Sequence, residues 1–209
     1  MVNIFIAITV AYLLGSIPSA YLAGRLKKNI DIREVGSRNM GVLNVYYEVG
    51  LREAVLVLLA DVGKGIGAIV LARWLTGAPP FSVPELLAGL AAVVGHTFPV
   101  FLKFRGGTGG ATTLGILLFL MPKAVPFFIP VAVIALIITR NLAFCYGIAF
   151  VIFPLVAWLI YHSTPMLFFS IGLPLFVGIN YLPRLKEMHI KTAGNWRKVI
   201  KRSNVKERF

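Results

Sequence analysis

Apolar residues in this chain fall into seven blocks separated by short polar or glycine-rich breaks, with neither the alternation of a half-buried strand nor the one-sided stripe of a surface helix. The blocks run from about Val2 to Gly24, Ala54 to Thr76, Pro84 to Leu102, Ala111 to Met121, Val125 to Thr139, Leu142 to Tyr161 and Pro165 to Leu182. Most approach the length a membrane-spanning helix needs. The pattern predicts an all-α, polytopic membrane helix bundle of about seven transmembrane helices. One block is out of scale: Ala111 to Met121 has about 11 residues, or ~16 Å of helix, against a ~30 Å hydrocarbon layer. Either the preceding loop lies below the membrane surface or the bilayer is pinched there, and irregular backbone at that depth must border a polar cavity.

The breaks carry the polar chemistry. Gly15-Ser16-Ile17-Pro18-Ser19-Ala20 permits a kink and close helix contact within the first span. Gly77 to Phe81 reads as a turn. The loops are too short for a soluble domain, so residues 1–209 are expected to form a single integral membrane domain, with residues 184–209 as a basic cytoplasmic tail.

Composition agrees: 58% of residues are hydrophobic and the mean hydropathy is +0.83, too apolar for one soluble core. Charge then sets orientation. The net charge is +13, from 21 Lys and Arg against 8 Asp and Glu. Six basic residues lie between Arg25 and Arg52 and nine between Arg184 and Phe209. Basic clusters beside spans stay cytoplasmic and meet anionic lipid heads, so membrane lipids are the expected partners and a nucleic acid is not. Met1 is then outside and the C-terminus cytoplasmic. The first span lacks a basic leader and runs into an Arg/Lys-rich stop, as a retained helix does. The single cysteine, Cys145, excludes an intramolecular disulfide.

Phe104-Arg105-Gly106-Gly107-Thr108-Gly109-Gly110-Ala111-Thr112-Thr113 is the candidate centre. Glycines let backbone approach a ligand, and a helix starting near Ala111 directs free N–H groups and its positive dipole end there. Arg105 adds a planar donor fork, and Thr108, Thr112 and Thr113 add hydroxyls. The bland alternative is a tight re-entry that only lets helices pack closely. No Walker lysine follows.

Three other groups stand out. In the first loop, Ser37, Arg38, Asn39 and Asn44 either cap a short helix or form a polar wall facing a phosphate or glycerol head group, with Arg38 as anchor. Asp61 and Lys64, at i, i+3 in one span, suit an ion pair better than a free catalytic carboxylate. His96 is a proton acceptor or a hydrogen-bonded structural histidine. His96, His162 and His189 have no shared ligand spacing, so no metal and no cofactor are expected.

Gly36-Ser37-x-Asn39-x-Gly41-x-x-Asn44-Val45, Asp61-x-x-Lys64-Gly65, Gly95-His96-x-x-Pro99-Val100-Phe101 and Gly106-Gly107-x-Gly109-x-Ala111-Thr112 together resemble the bacterial membrane acyl-phosphate:glycerol-3-phosphate acyltransferases, in order and spacing. The resemblance covers the chain from Leu13 onward. It implies a seven-span, N-out, multi-pass enzyme of the cell inner (cytoplasmic) membrane that acylates the 1-hydroxyl of sn-glycerol 3-phosphate from acyl-phosphate. It places Ser37, Asn39 and Asn44 in the first cytoplasmic motif, and Gly106, Gly107, Thr108, Gly109 and Thr112 in the phosphate-binding motif. Ser37, Arg105 and His96 are the candidate catalytic residues; Asn180 and Arg184 are candidate substrate contacts near the last motif. The chain departs from the family pattern at Tyr47, at Thr108 and across Gly178 to Tyr181. A non-catalytic member that binds or transports a lipid or phosphate ester is the alternative.

Overall fold

A computed structural model describes residues 2–202, and the described residues are helical with short connections. The chain divides into two compact units, Met1–Leu120 and Met121–Phe209.

In the first unit, α1 (Val2–Gly15) is separated from α2 (Ser19–Lys28) by the predicted kink. Pro18 causes it: it has no N–H, and its ring would collide with the carbonyl four residues back in a continuous helix. The short α3 (Val42–Glu48) leads into α4 (Leu51–Thr76), followed by α5 (Val83–Thr97), a 3₁₀ turn at Val100–Leu102, and α6 (Gly110–Leu120). Helix α6 has the 11 residues the hydropathy pattern assigned to the fourth span.

Helices α1, α4 and α5 meet along a seam of small side chains, Ala7, Ala11, Ala68, Ala72, Ala88 and Ala92, all at most 2% exposed. Lipid tails are as apolar as leucine, so close main-chain approach provides the dispersion contact that holds such helices together. Gly15 lies against the Ala92 backbone, and a Cβ on Gly95 would strike the carbonyl of Tyr12. Helices α4 and α6 meet the same way, with Gly65 against the Thr112 carbonyl and Gly115 against the Val62 carbonyl. At the far end of the unit, Arg73 of α4 pairs with fully buried Glu85 of α5.

In the second unit, α7 (Val125–Thr139), α8 (Leu142–Ala149) and α9 (Ile152–Leu159) pack around Phe128, Phe150 and Phe153, whose ring centroids lie 5.3–6.4 Å apart. The block predicted as one span from Leu142 to Tyr161 is interrupted at Phe150 and Val151, because Pro154 leaves the Phe150 carbonyl without its helical donor. Helix α10 (Thr164–Lys191) runs nine residues beyond the expected end at Leu182. Pairs from Glu187 to Arg184 (2.8 Å) and Lys191 (2.7 Å) support its last turns. Arg184 therefore belongs to a helix, and the basic tail departs at Thr192. Within the tail, the five residues of α11 (Trp196–Ile200) are helical, and residues 203–209 lie outside the described ones.

Among the described residues, six candidate spans are long and apolar enough to cross a membrane: Asn3–Lys28, Leu51–Thr76, Val83–Leu102, Pro122–Thr139, Leu142–Leu159 and Thr164–Lys191. Helix α6 is the shorter apolar addition. Gly95→Leu is expected to push α5 off α1 and lower stability by about 1–3 kcal/mol, the usual scale of overpacking, read as a reduced thermal midpoint in detergent.

Candidate active site

Helix α5 ends at Thr97, two residues before Pro99, and its last carbonyls need donors. The glycine-rich segment supplies them. Gly107 N–H donates to the His96 carbonyl (3.2 Å) and Gly106 N–H to the Thr97 carbonyl (3.1 Å). The amides of Gly106 and Gly107, expected to cradle an anion, are thus committed to holding the loop. The free donor end lies further on. The ladder of α6 opens with Thr113 N–H on the Gly109 carbonyl (2.9 Å), so the amides of Gly110, Ala111 and Thr112 precede its first bond. Lys103 and Phe104 adopt positive φ of 54° and 60°, a tight reversal that leaves Lys103 and Arg105 exposed.

Gly107 is also where two loops meet. A Cβ there would collide with His96 Nε2 on one side and the Met40 carbonyl of the first loop on the other. Arg33 ties the same loops together. It pairs with Asp31 (Nη2–Oδ2 2.7 Å, Nε–Oδ1 3.0 Å), donates through Nη1 to the Leu102 carbonyl (3.3 Å) and lies over the Tyr21 ring. The hydrogen bond from Arg33 holds the Asp31 carboxyl at about 2, below its ordinary 3.8, and the Asp31 carboxylate raises Arg33 in turn.

Asn44, in α3, is 3% exposed and turned inward. Its Nδ2 donates to the carbonyls of Ile32 (2.8 Å) and Val35 (3.1 Å), and its Oδ1 accepts from Ser37 N–H (2.9 Å). Its donors are engaged by main-chain carbonyls, so Asn44 organises the loop that presents Ser37 and Arg38. Gly36, at φ 56°, has Asn44 Oδ1 where a side chain would stand. Ser37 Oγ accepts from Asn39 N–H (3.4 Å), and among the described residues no histidine or carboxylate is bonded to Ser37. Arg38, at φ 59°, is exposed.

Beneath the glycine-rich loop lies a buried polar cluster. Asp61 Oδ1 accepts from Ser19 Oγ (2.5 Å) and Lys64 Nζ (2.9 Å) and stands 3.7 Å from His96 Nδ1. The Asp61–Lys64 pair is the one their spacing favoured. Lys64 also donates to the Ile17 carbonyl (3.1 Å), at the kink between α1 and α2. Thr112 Oγ1 is 3.3 Å from His96 Nδ1, so this hydroxyl faces the imidazole. Sequence reasoning missed Ser19 and Arg33. The signal for Ser19 was a hydroxyl just after a kink proline; Arg33 sat two residues from an acidic partner.

Asn180 and Arg184 lie on α10 in the second unit. Asn180 Nδ2 donates to the Phe176 carbonyl (2.9 Å), and Arg184 is paired with Glu187.

A polytopic helical protein with a helix N-terminus, exposed arginines and a glycine turn gathered between apolar spans defines a membrane protein with a candidate site for an anionic group. Comparison specifies which. A family model described as glycerol-3-phosphate acyltransferase matches residues 5–189. Glycerol-3-phosphate acyltransferase 2 of Dehalococcoides mccartyi (strain ATCC BAA-2266 / KCTC 15142 / 195) is 45% identical over 210 residues, covering 100% of this chain and 99% of the relative. The glycerol-3-phosphate acyltransferase of Endomicrobium trichonymphae is 34% identical, with 93% and 96% covered. Among solved structures, PlsY (YgiH), an integral membrane glycerol 3-phosphate acyltransferase in its glycerol 3-phosphate form, superposes with TM-score 0.82 at 28% identity, covering 99% of this chain and 95% of that one. Its lysophosphatidic acid form gives 0.78 over 92% and 93%. The chain belongs to the glycerol-3-phosphate acyltransferase family.

Because the folded Asp31 pKa is depressed, its contribution to stability is full well above 3.8 and is lost as pH falls through about 2. Amide exchange across residues 31–38 is expected to accelerate as pH falls below 4 relative to an α4 reference, and Asp31→Asn should abolish that dependence.

Proposed function

We propose that the chain transfers an acyl group from acyl-phosphate to the 1-hydroxyl of sn-glycerol 3-phosphate, yielding lysophosphatidic acid and inorganic phosphate. It does so in a bacterial inner membrane, with its N-terminus outside and its C-terminus cytoplasmic. One observation carries the reading: the Gly107 backbone, wedged between His96 and the Met40 carbonyl, brings the Ser37–Arg38 loop beside the start of α6. Family membership supports it independently.

The phosphate ester is assigned to the free amides of Gly110, Ala111 and Thr112, where the helix dipole favours negative charge, with Gly109 and Thr108 at the edge. Arg105 and Arg38 supply charge-assisted donors. The substrate 1-hydroxyl oxygen attacks the acyl carbonyl carbon as the bond to the phosphate oxygen breaks. The hydroxyl proton leaves on a phosphate oxygen. The donor is already an activated anhydride, so positioning and neutralising the departing phosphate are the main demands. Ser37 is assigned to hydrogen bonding of substrate, since nothing bonded to it would activate it as a nucleophile. Asn39 completes that polar edge. His96 is buried behind Gly107 and acts through the loop.

Purified protein given acyl-phosphate and glycerol 3-phosphate is expected to form lysophosphatidic acid. Arg105→Ala should lower kcat/KM by about 10- to 100-fold, the loss of one charge-assisted hydrogen bond. Binding of glycerol 3-phosphate without product would mark a phosphate-ester-binding protein instead, and undiminished turnover in Arg105→Ala would remove Arg105 from the site.

A further inference from the structure

Asp61 is fully buried in the middle of a candidate span, where a carboxylate is expensive. Neutralising Lys64 would account for one contact. The structure gives Asp61 Oδ1 three neighbours from three helices: Ser19 of α2, Lys64 of its own α4 and His96 of α5. A pair that only offset its own charges could be replaced by apolar side chains at little cost, and it would need no histidine.

His96 connects this cluster to the site. Its Nδ1 faces Asp61 and Thr112 Oγ1, the latter in the first turn of α6. Its Nε2 lies against Gly107, and its own carbonyl holds the Gly107 amide at 3.2 Å. The adjacent Thr97 carbonyl holds Gly106. The ring and the main chain of one residue therefore grip the glycine turn from below.

We propose that Asp61 is a positioning residue for the phosphate-ester site, acting through the His96 ring to fix the glycine turn against the start of α6. Its negative charge keeps the imidazole proton on Nδ1, which then donates to Thr112 Oγ1 and sets the ring plane under Gly107. Ser19 and Lys64 hold the carboxylate where it can do this. Nothing in the arrangement touches the reacting atoms. Loss of Asp61 should therefore appear as weakened capture of glycerol 3-phosphate with turnover largely kept. The inference rests on the functional reading above.

Asp61→Asn alone leaves the Lys64 ammonium buried and unpaired, which can unfold the protein. The informative variant is Asp61→Asn/Lys64→Met, which removes both charges. In detergent, its thermal midpoint should match wild type, its KM for glycerol 3-phosphate should rise about tenfold, the scale of one charge-assisted hydrogen bond, and kcat and the KM for acyl-phosphate should change little. In a His96→Gln background the same double substitution should raise KM no further, because its effect passes through the ring. An unchanged KM in the double variant overturns the proposal. So does an equal increment with and without His96, or a loss confined to kcat and folded yield. Calorimetric titration of wild type with glycerol 3-phosphate separates the two levels. Wild type that neither binds nor acylates it ends the functional reading and this one with it. Wild type that does both while the double variant keeps its KM ends only the role of Asp61.

Discussion

A helix that stops among apolar neighbours has carbonyls with no partner, and no water reaches them in hydrocarbon. Helix α5 stops because Pro99 cannot continue it, and the His96 and Thr97 carbonyls are answered by the amides of Gly106 and Gly107. That exchange fixes the rest. It turns the glycine segment back beneath α5, sets where α6 begins, and brings the Met40 carbonyl and the His96 ring to opposite sides of Gly107. Side chains are excluded at Gly107 because two polar groups already occupy their place.

The same logic joins the kink in the first span to the buried charges. Pro18 interrupts the helix, and at the break the Ile17 carbonyl accepts from Ser19 N–H and from Lys64, which also pairs with Asp61, while the Ser19 hydroxyl donates to the same carboxylate. The break thus gives the buried ammonium a carbonyl partner besides Asp61.

Much of this was legible beforehand. Hydropathy alone gave an 11-residue α6, and the i, i+3 spacing of Asp61 and Lys64 gave their pairing, because both are local properties. Convergence across segments was not legible. Ser19, Asp61, His96 and Thr112 are distant in sequence and meet only once α2, α4, α5 and α6 pack. Nor does a glycine-rich motif say which of its amides are spent on structure: Gly106 and Gly107 looked as available as Gly110. Asn44 misled for the same reason, since an asparagine able to bind a ligand is equally able to bind Ile32 and Val35. The end of α10 was misjudged because the apolar run stops at Leu182, whereas Glu187, Arg184 and Lys191 sustain the helix past Pro183 by pairing along one face.

Arg33 shows what kind of variation this architecture accepts. One flat guanidinium serves a carboxylate through two nitrogens, a carbonyl through a third and an aromatic face through its plane. Those demands define an orientation as well as a charge. An ammonium at this position would keep the electrostatic sum and lose the angle between the two loops. Among relatives or designed variants, shape at this joint is therefore a stricter criterion than the number of positive residues around it.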